Sequence, residues 1–356
     1  MHERVIVVGA GVIGASVAWH LARGGADVTV VDQGQGGGVA TPRSWAWINA
    51  SWGHPDAYVR LRMRAMDEWH RMDGVVPGLE ANWCGGLVWD MDSEDDLQAF
   101  VAERQGQGYD IRLIDGQEAG ELEPALAHPP RLAAYSPAEG AVEPLEATQA
   151  ILADAERLGA GLVLGAGVER LLTKGERVTG LRLVDGTEIV ADRVVLAAGS
   201  ATAGLAAQVD VEVPVDDSAG LLIVTEPVAP MLNGLVVGPG LELRQLGDGR
   251  LLASGHYAGS DPGADPQATA EKLFATVQAG VREGATLKLG GHVIGHRPMP
   301  RDGLPIVGPA GAGLYVAVTH SGITLAPAIG RFVAEEILRD RRDPLIGPFG
   351  LERFGG

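Results

Sequence analysis

The chain has 356 residues, 46% hydrophobic and 21% charged, which places it among ordinary globular proteins and excludes a disordered or collagen-like chain. With 46 acidic against 28 basic residues the formal charge is −18, a surface that repels phosphate backbones and argues against a nucleic-acid partner. The single Cys84 excludes an internal disulfide and any multi-cysteine metal or iron–sulfur site. The longest apolar run, 5–19, is broken by Gly9, Gly11 and Gly14 and is too short to cross a bilayer, so no membrane span is expected and a cytoplasmic location is the default.

Val5-Ile6-Val7-Val8 is apolar throughout, as expected of a parallel strand buried on both faces. Ile13, Val17 and Leu21 recur four apart and predict a helix ended by Gly24-Gly25. Val28-Thr29-Val30-Val31 predicts a second buried strand ending at Asp32; the right-handed crossover of such a βαβ unit implies a parallel sheet. Arg60–Arg64 reads as an amphipathic helix. Pro144 opens a helix with Leu145, Thr148, Ile151, Leu152, Ala155 and Leu158 on one face. Strands are expected at 161–165, 178–183 and 194–197, with a turn at Lys174-Gly175. Residues 80–139 and 215–290 are richer in turn signals and include an expected hairpin of 241–246 with 250–254, then a helix from Asp265-Pro266. The end returns to a strand at 314–318 and a helix to about Arg339. The expected fold is α/β plus α+β: a Rossmann-like dinucleotide-binding domain (1–80, 140–214 and 291–356) interleaved with an antiparallel-sheet substrate domain (81–139 and 215–290).

Gly9-Ala10-Gly11-Val12-Ile13-Gly14 fits G-x-G-x-x-G, a weak pattern alone, but here it follows a strand, opens a helix and meets Asp32 at the end of the next strand. Gly9 permits the turn, Gly11 lets a pyrophosphate approach the backbone, and Gly14 lets the helix pack on the strand. The helix N-terminus offers partial positive charge to the phosphates. Asp32 would accept from ribose hydroxyls; Gln33 and Gly34 follow it, so no arginine stands ready for a 2′-phosphate. Val168, read as a strand end, is placed to flank the adenine, and Ala198-Gly199 forms a small-residue turn past which a nucleotide can lie. No second G-x-G-x-x-G has a strand before it and a helix after it, so one dinucleotide is expected, with electrons coming directly from a substrate.

With these residues in hand, the sequence resembles the D-amino-acid oxidase superfamily of FAD-dependent oxidoreductases, in the branch of glycine and sarcosine oxidases, over nearly its whole length. Asp192-Arg193-Val194-Val195-Leu196-Ala197-Ala198-Gly199 is similar to the family's AD-x-VV-x-AAG. Arg297-Pro298 through Asp302-Gly303 to Gly308 matches R-P-x-x-x-D-G-x-P-x-x-G, in which the arginine binds the substrate carboxylate, and Gly303 is expected beside the nucleotide. Thr319-His320-Ser321-Gly322-Ile323-Thr324 resembles the segment that carries the flavin ring, two residues shorter than the usual G-H-x-x-x-G. Residues 40–49 stand where the family's second flavin-contacting loop lies, which implies that Thr41, Arg43 and Ser44 touch the cofactor. Trp45, Trp47 and Trp52 are candidates for the pocket wall. Asn49 and Arg244 are candidates for a second polar anchor, His320 for a catalytic neighbour, and His256 and Tyr257 rank below them. Neither a cysteine near Arg297 nor an S-W-H pattern at Ser44-Trp45-Ala46 is present, so the resemblance implies non-covalent FAD.

The implied reaction is oxidation of an amino acid, glycine-like or N-substituted: a hydride leaves the α-carbon for flavin N5, and the resulting imine hydrolyses. Arg297 would fix the carboxylate, and the dipole of the helix from Gly322 would stabilise negative charge on the ring. Because Arg297 does not distinguish an amine from a hydroxyl, a 2-hydroxy-acid oxidase or dehydrogenase stays open. Further from the pattern are a flavin monooxygenase, whose G-D-A-A motif is not matched by Val307–Gly311, and a flavin-carrying subunit. The partners implied are a small amine or amino acid and either O2 or another electron acceptor; a homo-oligomer is left open.

Overall fold

The computed structural model describes residues 2–52, 55–255 and 260–355. The first apolar run forms the strand Arg4–Val8, which pairs in parallel with Asp27–Asp32 on one side and Arg193–Leu196 on the other. Val5, Ile6, Val7 and Val8 are all buried, as an uninterrupted apolar strand between two neighbours requires. Gly161–Leu164 and Leu314–Val318 extend this sheet in parallel and Ile306–Pro309 adds an antiparallel edge. The order is 306–309, 314–318, 193–196, 4–8, 27–32, 161–164, so strands from the front, middle and end of the chain share one sheet.

The helix Val12–Arg23 packs between Pro144–Arg157 and Gly322–Arg339. Trp19 ties it to the first by donating from Nε1 to Asp154 Oδ2 at 2.7 Å. Against the second it lies so close that a Cβ at Gly330 would come 2.7 Å from the Ser16 carbonyl oxygen. Trp69, on the helix Asp56–Asp73, pins the closing helix from outside by donating to Ile323 O at 2.9 Å.

A second sheet of eight strands runs in the order 289–300, 215–225, 251–254, 241–245, 235–238, 86–88, 132–136, 112–115. It is antiparallel except where Leu235–Gly238 lies parallel to Gly86–Val88. Two expectations need correction. The domain boundary at 290/291 falls inside Leu289–Pro300, whose register with Val215–Thr225 is almost unbroken, so Arg297 belongs to the eight-stranded sheet. Val168 does not end a strand: it begins Val168–Lys174, which forms a hairpin with Arg177–Leu183 around Lys174-Gly175. Among the described residues no helix is long and apolar enough to cross a membrane, and no cluster of three or more His, Cys, Asp or Glu residues could hold a metal ion.

Because a Cβ at Gly330 would strike the Ser16 backbone as well as its hydroxyl, Gly330→Ala should destabilise the fold by about 1–3 kcal/mol. Urea unfolding followed by circular dichroism measures this, and an unchanged midpoint would show that the two helices can separate at little cost.

Candidate active site

A cleft of ≈ 590 Å³ runs between the two sheets, from the ends of the strands 4–8 and 27–32 to the underside of the eight-stranded sheet. At its inner end the chain leaves Val8 into Gly9, which has φ +107° and donates from N to Val31 O at 2.8 Å. A Cβ there would meet Ala197 O at 2.4 Å, so only glycine fits the crossing. Gly11, Val12 and Ile13 line the cleft, and the helix they open has no side-chain cap and no acidic residue in its first turn. Gly14 does not line it; a Cβ there would sit 1.8 Å from Gly9 O, so its role is the close packing of helix on strand.

Asp32 lines the cleft with Gln33 and Val168, and its carboxylate also organises the loop: Oδ2 accepts from Ala10 N and Oδ1 from Gly34 N, each at 2.6 Å. Each oxygen keeps a second lone pair. Ala198 and Gly199 form the opposite lip. Thr41, Arg43 and Ser44 line the middle, where Thr41 Oγ1 accepts from Val12 N at 3.2 Å and Arg43 Nη1 donates to Val39 O at 2.8 Å. Ser44 Oγ accepts from Ala46 N at 3.0 Å, closing a turn in which Ala46 has φ +62°. Gly303, by contrast, is exposed in the turn after Leu289–Pro300 and does not reach the cleft.

At the far end His320, Ser321, Gly322, Ile323 and Thr324 line the cleft where the closing helix begins, again without a side-chain cap or an acid in its first turn. Thr324 Oγ1 donates to Trp47 O at 3.0 Å, joining this helix to the wall formed by Trp45 and Trp47. Trp47 Nε1 in turn donates to the buried Glu139 at 2.8 Å, as does Tyr109 from its hydroxyl at 2.7 Å; burial pushes the Glu139 carboxyl up to about 7. Trp52 packs on Phe100 and does not line the cleft. Asn49 is held by Arg62, which donates from Nε to Asn49 O at 3.0 Å and from Nη2 to Asn49 Oδ1 at 2.7 Å. That leaves the Asn49 amide N–H2 as the group it can offer a ligand. Arg62 also donates to Ser321 Oγ at 2.9 Å, and the equally buried Arg104 donates to Ser51 O at 2.7 Å. Burial, then Arg297 and Arg62, hold the His320 imidazole down at about 4, so it is neutral at physiological pH.

The roof is the eight-stranded sheet. Arg297 donates from Nε to Ser218 O at 3.3 Å and from Nη2 to Ala219 O at 3.0 Å, while its buried Nη1 has no partner among the described residues. Glu242 lines the same space at 6% exposure; burial and then Asp90 raise its carboxyl to about 8, against the pull of Arg297. Asp217 and His296 sit at the rim, half exposed and paired at 3.0 Å.

Arg62 and Glu242 were not singled out by sequence. Arg62 has a signal, falling four after Tyr58 and seven before Trp69 on the buried face of its helix. Glu242 shares strand alternation with Arg244, the residue chosen instead. Arg244 does not reach the cleft: it is buried beside Cys84 around a separate small cavity, donating to Glu143 at 3.2 Å and to Val142 O at 3.3 Å. His256 and Tyr257 lie outside the described residues. Arg244→Met should therefore cost about 1–3 kcal/mol of stability through the lost bonds to Glu143 and Val142, with kcat/KM unchanged. A raised KM in steady-state assays would return Arg244 to the site.

Between residues 4 and 336 the chain matches the family model described as FAD dependent oxidoreductase. It is 30% identical to the glycine oxidase of Pseudomonas aeruginosa over 370 residues, covering 98% of each chain. It is 28% identical to the D-amino acid dehydrogenase of Methylobacterium radiotolerans, over 93% of this chain and 94% of the relative. The solved glycine oxidase from Geobacillus kaustophilus superposes with a TM-score of 0.85 at 26% identity, over 99% of this chain and 100% of that one. The likeness thus extends through both sheets and is not confined to the nucleotide-binding half, and the chain belongs to the FAD dependent oxidoreductase family, as an amine oxidoreductase that uses FAD.

Proposed function

We propose that this enzyme oxidises glycine or a small N-substituted amino acid at its α-carbon, and that it holds FAD without a covalent link. The observation that carries the reading is Arg297. Two of its nitrogens are fixed to the neighbouring strand, while Nη1 is buried without a partner among the described residues. A buried guanidinium donor left this way is destabilising until an acceptor arrives, and a carboxylate is the acceptor whose geometry matches the fork. Relatives named glycine oxidase favour a small substrate, as do the bulky walls of Trp45, Trp47 and Leu222 around the same cleft.

FAD, when bound, supplies the acceptor for the two electrons that leave the α-carbon. The chain's own part is to seat and to polarise. The first-turn amides after Gly11 would face the pyrophosphate, and the remaining lone pairs of Asp32 would take ribose hydroxyls. Thr41, Arg43 and Ser44 would meet the middle of the cofactor, and Val168 the adenine. The uncapped helix start at Gly322 would direct its positive end at the ring's carbonyl edge. Non-covalent attachment is supported by Cys84, the one cysteine, which borders the cavity beside Arg244 and not the cleft.

Anaerobic addition of glycine or sarcosine should bleach the yellow holoenzyme, and acid precipitation should release the colour into the supernatant. Bleaching by 2-hydroxy acids alone would overturn the amine reading, and colour retained in the pellet would overturn non-covalent binding. Arg297→Ala should lower kcat/KM by about 100-fold, chiefly through KM; unchanged kinetics would remove Arg297 from the site. Peroxide formation on admitting air separates O2 from another acceptor.

A further inference from the structure

Arg297 accounts for one end of an amino acid and leaves the other unrecognised. Glu242 lies on Leu241–Gln245, three strands along the roof from the strand of Arg297, and its carboxyl is buried in the lining of the same cleft. Ser254, its register partner on the next strand, is its hydrogen-bonding neighbour. Neither arginine of this region closes on it among the described residues. Arg244 is taken by Glu143, and Arg297 directs its bonds to Ser218 and Ala219. Arg297 and Glu242 nevertheless feel each other's charge across the cavity.

A guanidinium and an ionisable carboxyl that share a low-dielectric cavity gain by coming into contact, because contact favours the ionised carboxylate, and side chains as long as these do so unless the backbone holds them apart. The intervening strands Val215–Thr225 and Leu251–Ser254 provide that separation. A gap bounded by a guanidinium on one side and a carboxyl on the other is matched by a small dipolar ion with a carboxylate at one end and an ammonium at the other. Asp217 also lines the cleft, but it is half exposed and already paired with His296.

We propose that Glu242 recognises the nitrogen end of the substrate, accepting a hydrogen bond from its ammonium or amine N–H while Arg297 holds the carboxylate. The inference rests on the amino-acid reading above and deepens it: Glu242 becomes the residue that separates an amino acid from a 2-hydroxy acid, which Arg297 alone does not. The raised carboxyl of Glu242 accords with this, since burial and the like charge of Asp90 outweigh the pull of Arg297, and a bound ammonium would relieve both.

The test uses holoenzyme in the wild-type, Glu242→Gln and Glu242→Asp forms. Two readouts are compared: anaerobic flavin reduction by glycine and sarcosine, and the perturbation of the flavin spectrum on titration with acetate and propionate, which carry the carboxylate without the amine. Glu242→Gln should lower the apparent second-order rate for the amines by about 10- to 100-fold and shift the carboxylate Kd by less than about 3-fold, with Glu242→Asp between it and wild type for the amines. Equal losses for amines and carboxylates, no loss for the amines, or a Gln variant that no longer retains FAD would each overturn the role. Wild-type enzyme that no amino acid reduces would instead remove the amino-acid reading itself, and the inference with it.

Discussion

The site depends on the closeness of two helices. Val12–Arg23 and Gly322–Arg339 meet with Gly330 against the backbone at Ser16, and the first helix starts hard against its strand because Gly14 has no Cβ to strike Gly9 O. Those two contacts bring two helix N-termini to one cleft, one beside the strand ends and the other near the roof. Neither helix has a side-chain cap or an early acid, so both positive ends are left for whatever the cleft holds. A side chain at Gly330 would part the helices, and one at Gly14 would lift the first helix off its strand; either would disturb the register between the two ends.

The roof works by a different rule. A sheet fixes its side chains at set lateral intervals, so charges on strands 289–300 and 241–245 cannot collapse onto each other without breaking the ladder between them. Arg297 is further immobilised by two carbonyls of Val215–Thr225. The sheet therefore presents charged groups in a fixed pattern, and the helices provide a fixed seat beneath. The short strands Trp47–Ile48, Ala81–Asn82 and Gly140–Val142 pair with one another where the chain crosses between the two.

Much of this was legible in sequence where local chemistry decides the outcome. Gly9, Gly11, Asp32 and the apolar strands before them carry their roles in residue type and spacing, and the cleft-lining run His320–Thr324 was found through its resemblance to a known segment. What was not legible depended on tertiary neighbours. Glu242 and Arg244 alternate identically along one strand, and nothing in Leu241-Glu242-Leu243-Arg244 says that Glu143 waits for the arginine. The boundary at 290 was misplaced for a similar reason: Gly290-Gly291, Gly295 and the prolines of Leu289–Pro300 read as breaks, yet pairing with Val215–Thr225 carries one strand through them. Gly303 shares a motif with Arg297, which suggests a place beside the nucleotide, but its φ of +75° is the requirement of a turn outside the cleft. Of the tryptophans, Trp45 and Trp47 wall the cleft, while Trp19 and Trp69 fasten helices.

Net charge was the least informative feature for the site and the most easily misread. A chain of formal charge −18 surrounds a cleft whose far end is electropositive, with Arg62, Arg297 and a helix N-terminus converging there. The effect is visible on His320, whose imidazole is kept neutral partly by those two arginines. Arg62 is 1% exposed, and its hydrogen bonds to Asn49 and Ser321 clamp the cleft wall to the start of the closing helix. A lysine could supply the charge at that point but not several directed bonds in one plane. The acidic surface governs how the protein meets other macromolecules, whereas the buried guanidinium governs which charge can form or bind inside. The two act on different length scales, and solvent screening keeps them largely independent.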